Sequence, residues 1–88
     1  MRFQFDPERA RYNLRKHKVF FADAEGVFHD RLAIHVEDLD SEGESRSIAI
    51  GMGHQGRILV VVYVLRGQEI RLISARYATH REVKCYAG

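Results

Sequence analysis

Eighty-eight residues, 45% of them hydrophobic, are enough for one small α+β domain over 1–88 with a single modest core, so stability is expected to be marginal unless a partner covers it. One cysteine, Cys85, excludes an internal disulfide, Met1 to Asp6 is too short and polar for a secretory signal, and no apolar run nears the roughly 20 residues of a membrane span, which leaves a cytoplasmic protein with no membrane partner as the expectation. The net charge of +2 is segregated: +4 over 1–18, −7 over 19–44 and +5 over 45–88, so the basic ends attract a polyanion while the acidic run 37–44 reads as a solvated loop.

Arg2-Phe-Gln-Phe5 alternates polar and apolar and reads as a short strand. Asp6-Pro7 starts a helix, because Asp6 accepts from free first-turn amides and Pro7 suits the first helical position. Ala10, Leu14 and His17 recur at helical spacing and mark its buried stripe. His17 falls at the C-terminal end, where the helix dipole favours a cation. A second helical pattern follows in Phe21, Ala24, Val27 and Phe28, weakened by Gly26 at a cost of about 1 kcal/mol relative to alanine.

From Leu32 the period becomes two. Leu32, Ile34 and Val36 form one strand, and Ile48, Ile50 and Met52 another beyond the acidic loop. After a turn at 53–56, residues 58–65 are apolar on both faces, which marks a central strand covered on both sides. A hairpin turn at 66–68 leads into a strand over 70–75, and Thr79 with Glu82 forms a capping box that starts a last helix. The expected order is β-α-α-β-β-β-β-α: a small antiparallel sheet of about four main strands, two N-terminal helices and one C-terminal helix.

The chemistry concentrates where the last strand meets the last helix. Arg71 and Arg76 lie five residues apart, which puts them on opposite faces of a regular strand unless it bends. Arg76 precedes a helix N-terminus, and the amides of residues 78–81 are expected to join it in holding phosphate. Arg57, at the start of the central strand, either reaches a phosphate or flanks the hairpin. His80 is the better-matched proton-transfer group at neutral pH, with Glu82 second, although Glu82 also reads as the cap partner of Thr79. Arg81 adds a cation. Tyr77 in the bend and Tyr86 one turn beyond Glu82 either stack on a base or pack locally. Cys85 reads as a buried structural thiol. The five histidines, His17, His29, His35, His54 and His80, show no metal-ligand spacing, and neither a metal nor a cofactor is expected.

Phe5-Asp-Pro, Asn13-Leu-Arg-Lys-His17, Phe21-Ala-Asp-Ala with Val27-Phe28, Gly56-Arg57, Leu59 to Val62, Ile70 to Arg76 and Glu82 with Tyr86 together resemble the BrnT family, in unbroken order over nearly the whole chain. The resemblance implies a RelE-like ribonuclease fold and the toxin half of a bacterial type II toxin–antitoxin pair. It implies an RNA substrate and a BrnA-like ribbon-helix-helix antitoxin, with operator DNA contacted only through the antitoxin complex. Arg57, Arg71, Arg76 and Glu82 match the family pattern. Two positions depart from it. Lys18 replaces a glycine suited to a left-handed helix cap, so a different helix exit is expected. Tyr77 stands where a second cation often follows the strand-ending arginine. The rival expectation is a non-catalytic module that docks an antitoxin or a nucleic acid.

Overall fold

The computed structural model describes residues 1–39 and 43–88. The centre of the acidic run, 40–42, lies outside the described residues. In chain order the elements are β1 Arg2–Gln4, α1 Pro7–His17, α2 Phe21–Ala24, a 3-10 turn Glu25–His29, β2 Ile34–Asp38, β3 Arg46–Met52, β4 Ile58–Arg66, β5 Glu69–Tyr77 and α3 His80–Ala87. The strands make one sheet in the order β1-β5-β4-β3-β2. Consecutive strands from β2 to β5 pair antiparallel, as short hairpins require. The expected all-antiparallel sheet of about four strands is corrected at one edge. β1 is a fifth strand, parallel to β5, because α1 and α2 carry the chain back before the hairpins begin.

One face of the sheet, with Leu59, Val61 and Leu72 fully buried, forms the core beneath α1, α2 and the 3-10 turn. β4 is the middle strand, and Val60 and Val64 on its other face are also buried, so its apolar character on both faces has the expected cause. The second expected helix splits into one α-turn and a 3-10 turn around Gly26. A Cβ there would lie 2.4 Å from the backbone nitrogen of His54, so glycine is set by close approach to the β3–β4 turn rather than by helix preference.

The stripe expected on α1 is also corrected. Ala10, Leu14 and His17 are only half-buried, and the buried residue of α1 is Asn13. β1 pairs with only the first three residues of β5, which leaves the edge of β5 open beyond Arg71. Asn13 closes that edge. Its Nδ2 donates to the carbonyls of Ala75 (2.9 Å) and Val19 (3.0 Å), and its Oδ1 accepts from Ala75 N–H (2.9 Å). A side-chain amide thus completes the ladder where no strand lies alongside.

β5 carries a bulge. Ser74 lies opposite Val62 and Leu72 opposite Tyr63, so Ile73 is the extra residue. The bulge resets the alternation, and Arg71, Ser74 and Arg76 share a face with Val64, Val62 and Val60. The expectation of opposite faces for the two arginines fails for that reason.

α3 begins with the expected capping box: Glu82 N–H donates to Thr79 Oγ1, and Glu82 Oε1 accepts from Thr79 N–H. It covers the second face only lightly, packing against β3, and none of its residues is fully buried. Cys85 is therefore exposed, not the buried thiol expected. Lys18 caps α1 in the left-handed conformation, φ 62° and ψ 29°, with its N–H on Leu14 O. The helix exit keeps the geometry a glycine would take, and the expectation of a different exit is wrong. Lys18 Nζ on Arg15 O helps to hold it.

Candidate functional site

Four segments converge at one end of the sheet: the C-terminus of α1, the β3–β4 turn at 53–56, the start of β4 and the end of β5 with the head of α3. The hairpins place the last two together, since Leu59 pairs with Tyr77 and Ala78 N–H donates to Ile58 O.

Arg76 projects toward α3 and makes a two-bonded fork on Glu82, Nη1 to Oε1 at 2.8 Å and Nη2 to Oε2 at 2.9 Å. Nη1 also lies 3.3 Å from Tyr77 O. Glu82 thus serves both the helix cap and the arginine. The Arg76 hydrogen bonds hold its carboxyl down to about 2 against the opposing effect of burial, and the Thr79 amide helps. Such a carboxylate is a poor proton acceptor at neutral pH. The guanidinium in turn is held above its ordinary value, chiefly by its hydrogen bonds to Glu82.

Two of the amides expected to meet a phosphate are already engaged. Ala78 N–H serves Ile58 O, and Thr79 N–H serves Glu82. His80, Arg81 and the start of α3 are exposed beside them.

On the core side of the same end, the Arg57 guanidinium lies 5.2 Å from the centre of the Tyr77 ring. The Tyr77 hydroxyl donates to Lys18 O at 3.3 Å, so the bend at the end of β5 is tied to the exit of α1. His17 lies close by. Burial lowers its pKa, with Lys16 and Arg76 adding to the effect, and this overrides the cation-favouring dipole expected at a helix C-terminus.

Arg71 does not join this group. It pairs across the sheet with Val64 and lies toward the far end, where its charge acts on Glu44. Arg76 lies five positions further along the strand, or about 15 Å away. Tyr86 is also elsewhere. Its hydroxyl donates to Asp30 Oδ2 at 2.6 Å, and Asp30 accepts as well from Leu32 N–H and Met52 N–H. Burial alone would raise the Asp30 pKa, but those three donors lower it on balance. α3 is therefore fastened at both ends, by Arg76 at its head and by Asp30 at its tail. Over eight residues, about 12 Å, it crosses from the end of β5 to the end of β3.

Sequence reasoning named Arg57, Tyr77, Arg76, His80, Glu82 and Arg81, which the fold brings to one end. It missed Asn13 and Asp30, the residues that hold that end. A polar residue between Ala10 and Leu14 on an apolar stripe was the available signal for Asn13. Nothing local marked Asp30.

The family model for the ribonuclease toxin BrnT of type II toxin–antitoxin systems matches residues 5–82. Among solved structures, the chain is similar to the Brucella abortus ribonuclease toxin BrnT, known at 1.1 Å resolution. The likeness has a TM-score of 0.70 and 25% identity, and covers 91% of this chain and 99% of that one. No curated protein sequence matches.

Proposed function

The chain belongs to the BrnT family of ribonuclease toxins of type II toxin–antitoxin systems, and we propose that it cuts RNA internally without a metal ion and is silenced by a ribbon-helix-helix antitoxin. What supports this reading is the gathering of Arg57, Tyr77, Lys18, Arg76 and Arg81 at one end of the sheet. Guanidinium forks there suit phosphoryl oxygens, and an aromatic face suits an unstacked base.

In this reaction the ribose 2′-oxygen attacks the adjacent phosphorus and the 5′-oxygen leaves. Arg57 is the main phosphate group, because it is exposed and its guanidinium lies over the Tyr77 ring. Arg76 has spent its fork on Glu82, so it acts first as a positioning residue for the head of α3. Glu82 holds Arg76 and does not move the proton. Histidine is the matched side chain for that step, and His80 stands exposed at the head of α3.

The test is incubation of RNA and of DNA of the same sequence with the toxin in EDTA. RNA is expected to yield 2′,3′-cyclic or 3′-phosphate ends, and DNA, lacking the nucleophile, to survive. Cleavage that requires magnesium would sink the mechanism. A folded protein that binds its antitoxin and cuts nothing would favour a docking module.

The antitoxin is expected to mask Arg71, Arg76 and Arg81. Because the bulge puts Arg71 and Arg76 on one face, a single segment laid along β5 reaches both. Charge complementarity predicts faster association at low salt, and binding to the folded state alone predicts a raised melting temperature. Operator DNA is reached only through that complex, in the cytoplasm.

A further inference from the structure

A second titratable pair sits at the same end of the sheet. His29 closes the 3-10 turn and His54 lies in the β3–β4 turn, and their ring centroids are 6.0 Å apart with planes 32° apart. Both are exposed, and neither imidazole hydrogen-bonds another side chain among the described residues. A shallow, open groove of about 500 Å³ runs along His29, Asp30, Arg31 and Leu32.

The backbone beneath this pair is held unusually firmly for two surface turns. Asp23 is buried and binds the His54 turn twice: its carbonyl accepts His54 N–H at 3.1 Å, and its Oδ1 accepts Gln55 N–H at 2.8 Å. Gly26 lies flat against His54 and Gly53. On the other side Asp30, next to His29, binds Leu32, Met52 and Tyr86. Two carboxylates therefore fix both histidine-bearing segments to the sheet while the imidazoles themselves face solvent. Surface histidines with no task need no such support, whereas an acid–base pair must be held within about half an ångström of its working geometry.

We propose that His29 and His54, in place of the single exposed His80, are the proton-transfer pair of RNA cleavage, with Arg31 beside the phosphate; this rests on the ribonuclease reading above. One imidazole, neutral, takes the 2′-hydroxyl proton as the O2′–P bond forms. The other, protonated, gives its proton to the 5′-oxygen as the P–O5′ bond breaks. The products are a 2′,3′-cyclic phosphate and a 5′-hydroxyl, and the two histidines end with their protonation states exchanged. A ring separation of 6.0 Å lets two imidazoles flank one phosphoryl group. Arg57, three residues after His54 in the same turn, supplies the cation on the neighbouring side.

The test compares wild type, His29→Gln, His54→Gln and the double variant on a defined messenger RNA, free and on purified ribosomes, in EDTA. Each single change is expected to slow single-turnover cleavage by about 100-fold or more, and the double variant to fall little further. Melting temperatures should stay near wild type, and imidazole in the buffer should restore part of the rate of the matching His29→Ala and His54→Ala variants. A uridine 3′-phosphodiester with a nitrophenolate leaving group then separates the roles. The variant lacking the acid should recover on it, and the variant lacking the base should not. Single variants within twofold of a wild type that cuts RNA would overturn the assignment. So would losses that track a lowered melting temperature without imidazole rescue, or a loss confined to His80→Gln. A wild type that cuts no RNA overturns the ribonuclease reading itself, and the pair with it.

Discussion

Two arginine–glutamate forks with nearly the same bond lengths sit at opposite ends of the sheet, and they do different work. Arg66 donates to Glu44 at 2.8 and 3.0 Å, and Arg76 to Glu82 at 2.8 and 2.9 Å. The first joins two exposed side chains, 48% and 50% accessible, next to the acidic run. The second has a carboxylate only 26% accessible that also closes the first turn of α3. Both carboxyls are pulled below their ordinary values by hydrogen bonds from arginine, and only Glu82 reaches about 2. Distance alone does not set the worth of an ion pair. What counts is how far water is excluded and how many other bonds the carboxylate completes.

Support beneath the pair sharpens the contrast. Asn13 secures the backbone of Ala75, one residue before Arg76, with three buried hydrogen bonds. The largest predicted effect is therefore Asn13→Ala, which leaves the amide and carbonyl of Ala75 and the carbonyl of Val19 without partners. It should cost about 3 kcal/mol in a denaturant titration. If the midpoint hardly moves, the β5 edge is not held as described.

Next comes the acid dependence of Glu82. Its folded pKa lies below the unfolded value, so its stabilisation is fully present above about pH 4.5 and is lost as the pH falls toward 2. After screening by solvent it is worth on the order of 1–2 kcal/mol at neutral pH. Stability measured from pH 7 to pH 2 should show wild type exceeding Glu82→Gln at neutral pH and converging on it by pH 2. Parallel curves would mean that the fork does not form in solution.

Arg76→Ala should destabilise by roughly 1 kcal/mol, since the arginine is partly exposed, and should speed hydrogen exchange in the first turn of α3. Arg76→Lys should restore little, because an ammonium cannot span both carboxylate oxygens in a plane. Arg66→Ala is the matched control and should leave the melting temperature unchanged. Equal effects at the two ends would erase the distinction drawn here.

The smallest effect tests the neighbouring helix exit. Lys18→Gly removes the left-handed penalty at φ 62° but loses the bond from Nζ to Arg15 O, so a gain of about 0.5 kcal/mol is expected by thermal melt. A loss would show that the lysine bond outweighs the strain.

Features that depend on neighbours in the chain were legible. Asp6 before Pro7 starts α1, Thr79 with Glu82 starts α3, and the change of period from 3.6 to two separates the helices from the hairpins. Features that depend on pairing were not legible. The bulge at Ile73, which moves Arg71 and Arg76 to one face, exists only in the register of β4 against β5. The exposure of Cys85 follows from how lightly α3 lies on the sheet.

By itself the sequence determined the α+β character, the caps and the strand faces away from the bulge, because those rest on periodicity and on residue types at short spacing, while its resemblance over nearly the whole chain pointed to the ribonuclease-toxin family. The tertiary structure alone decided that Asn13 serves as a missing strand, that the Glu82 carboxylate takes the Arg76 fork, and that His29 and His54, 25 residues apart, come within 6.0 Å. Each of these joins groups from separate elements, and such contacts are settled when the apolar faces of the sheet and helices pack, not by the local preferences of the chain.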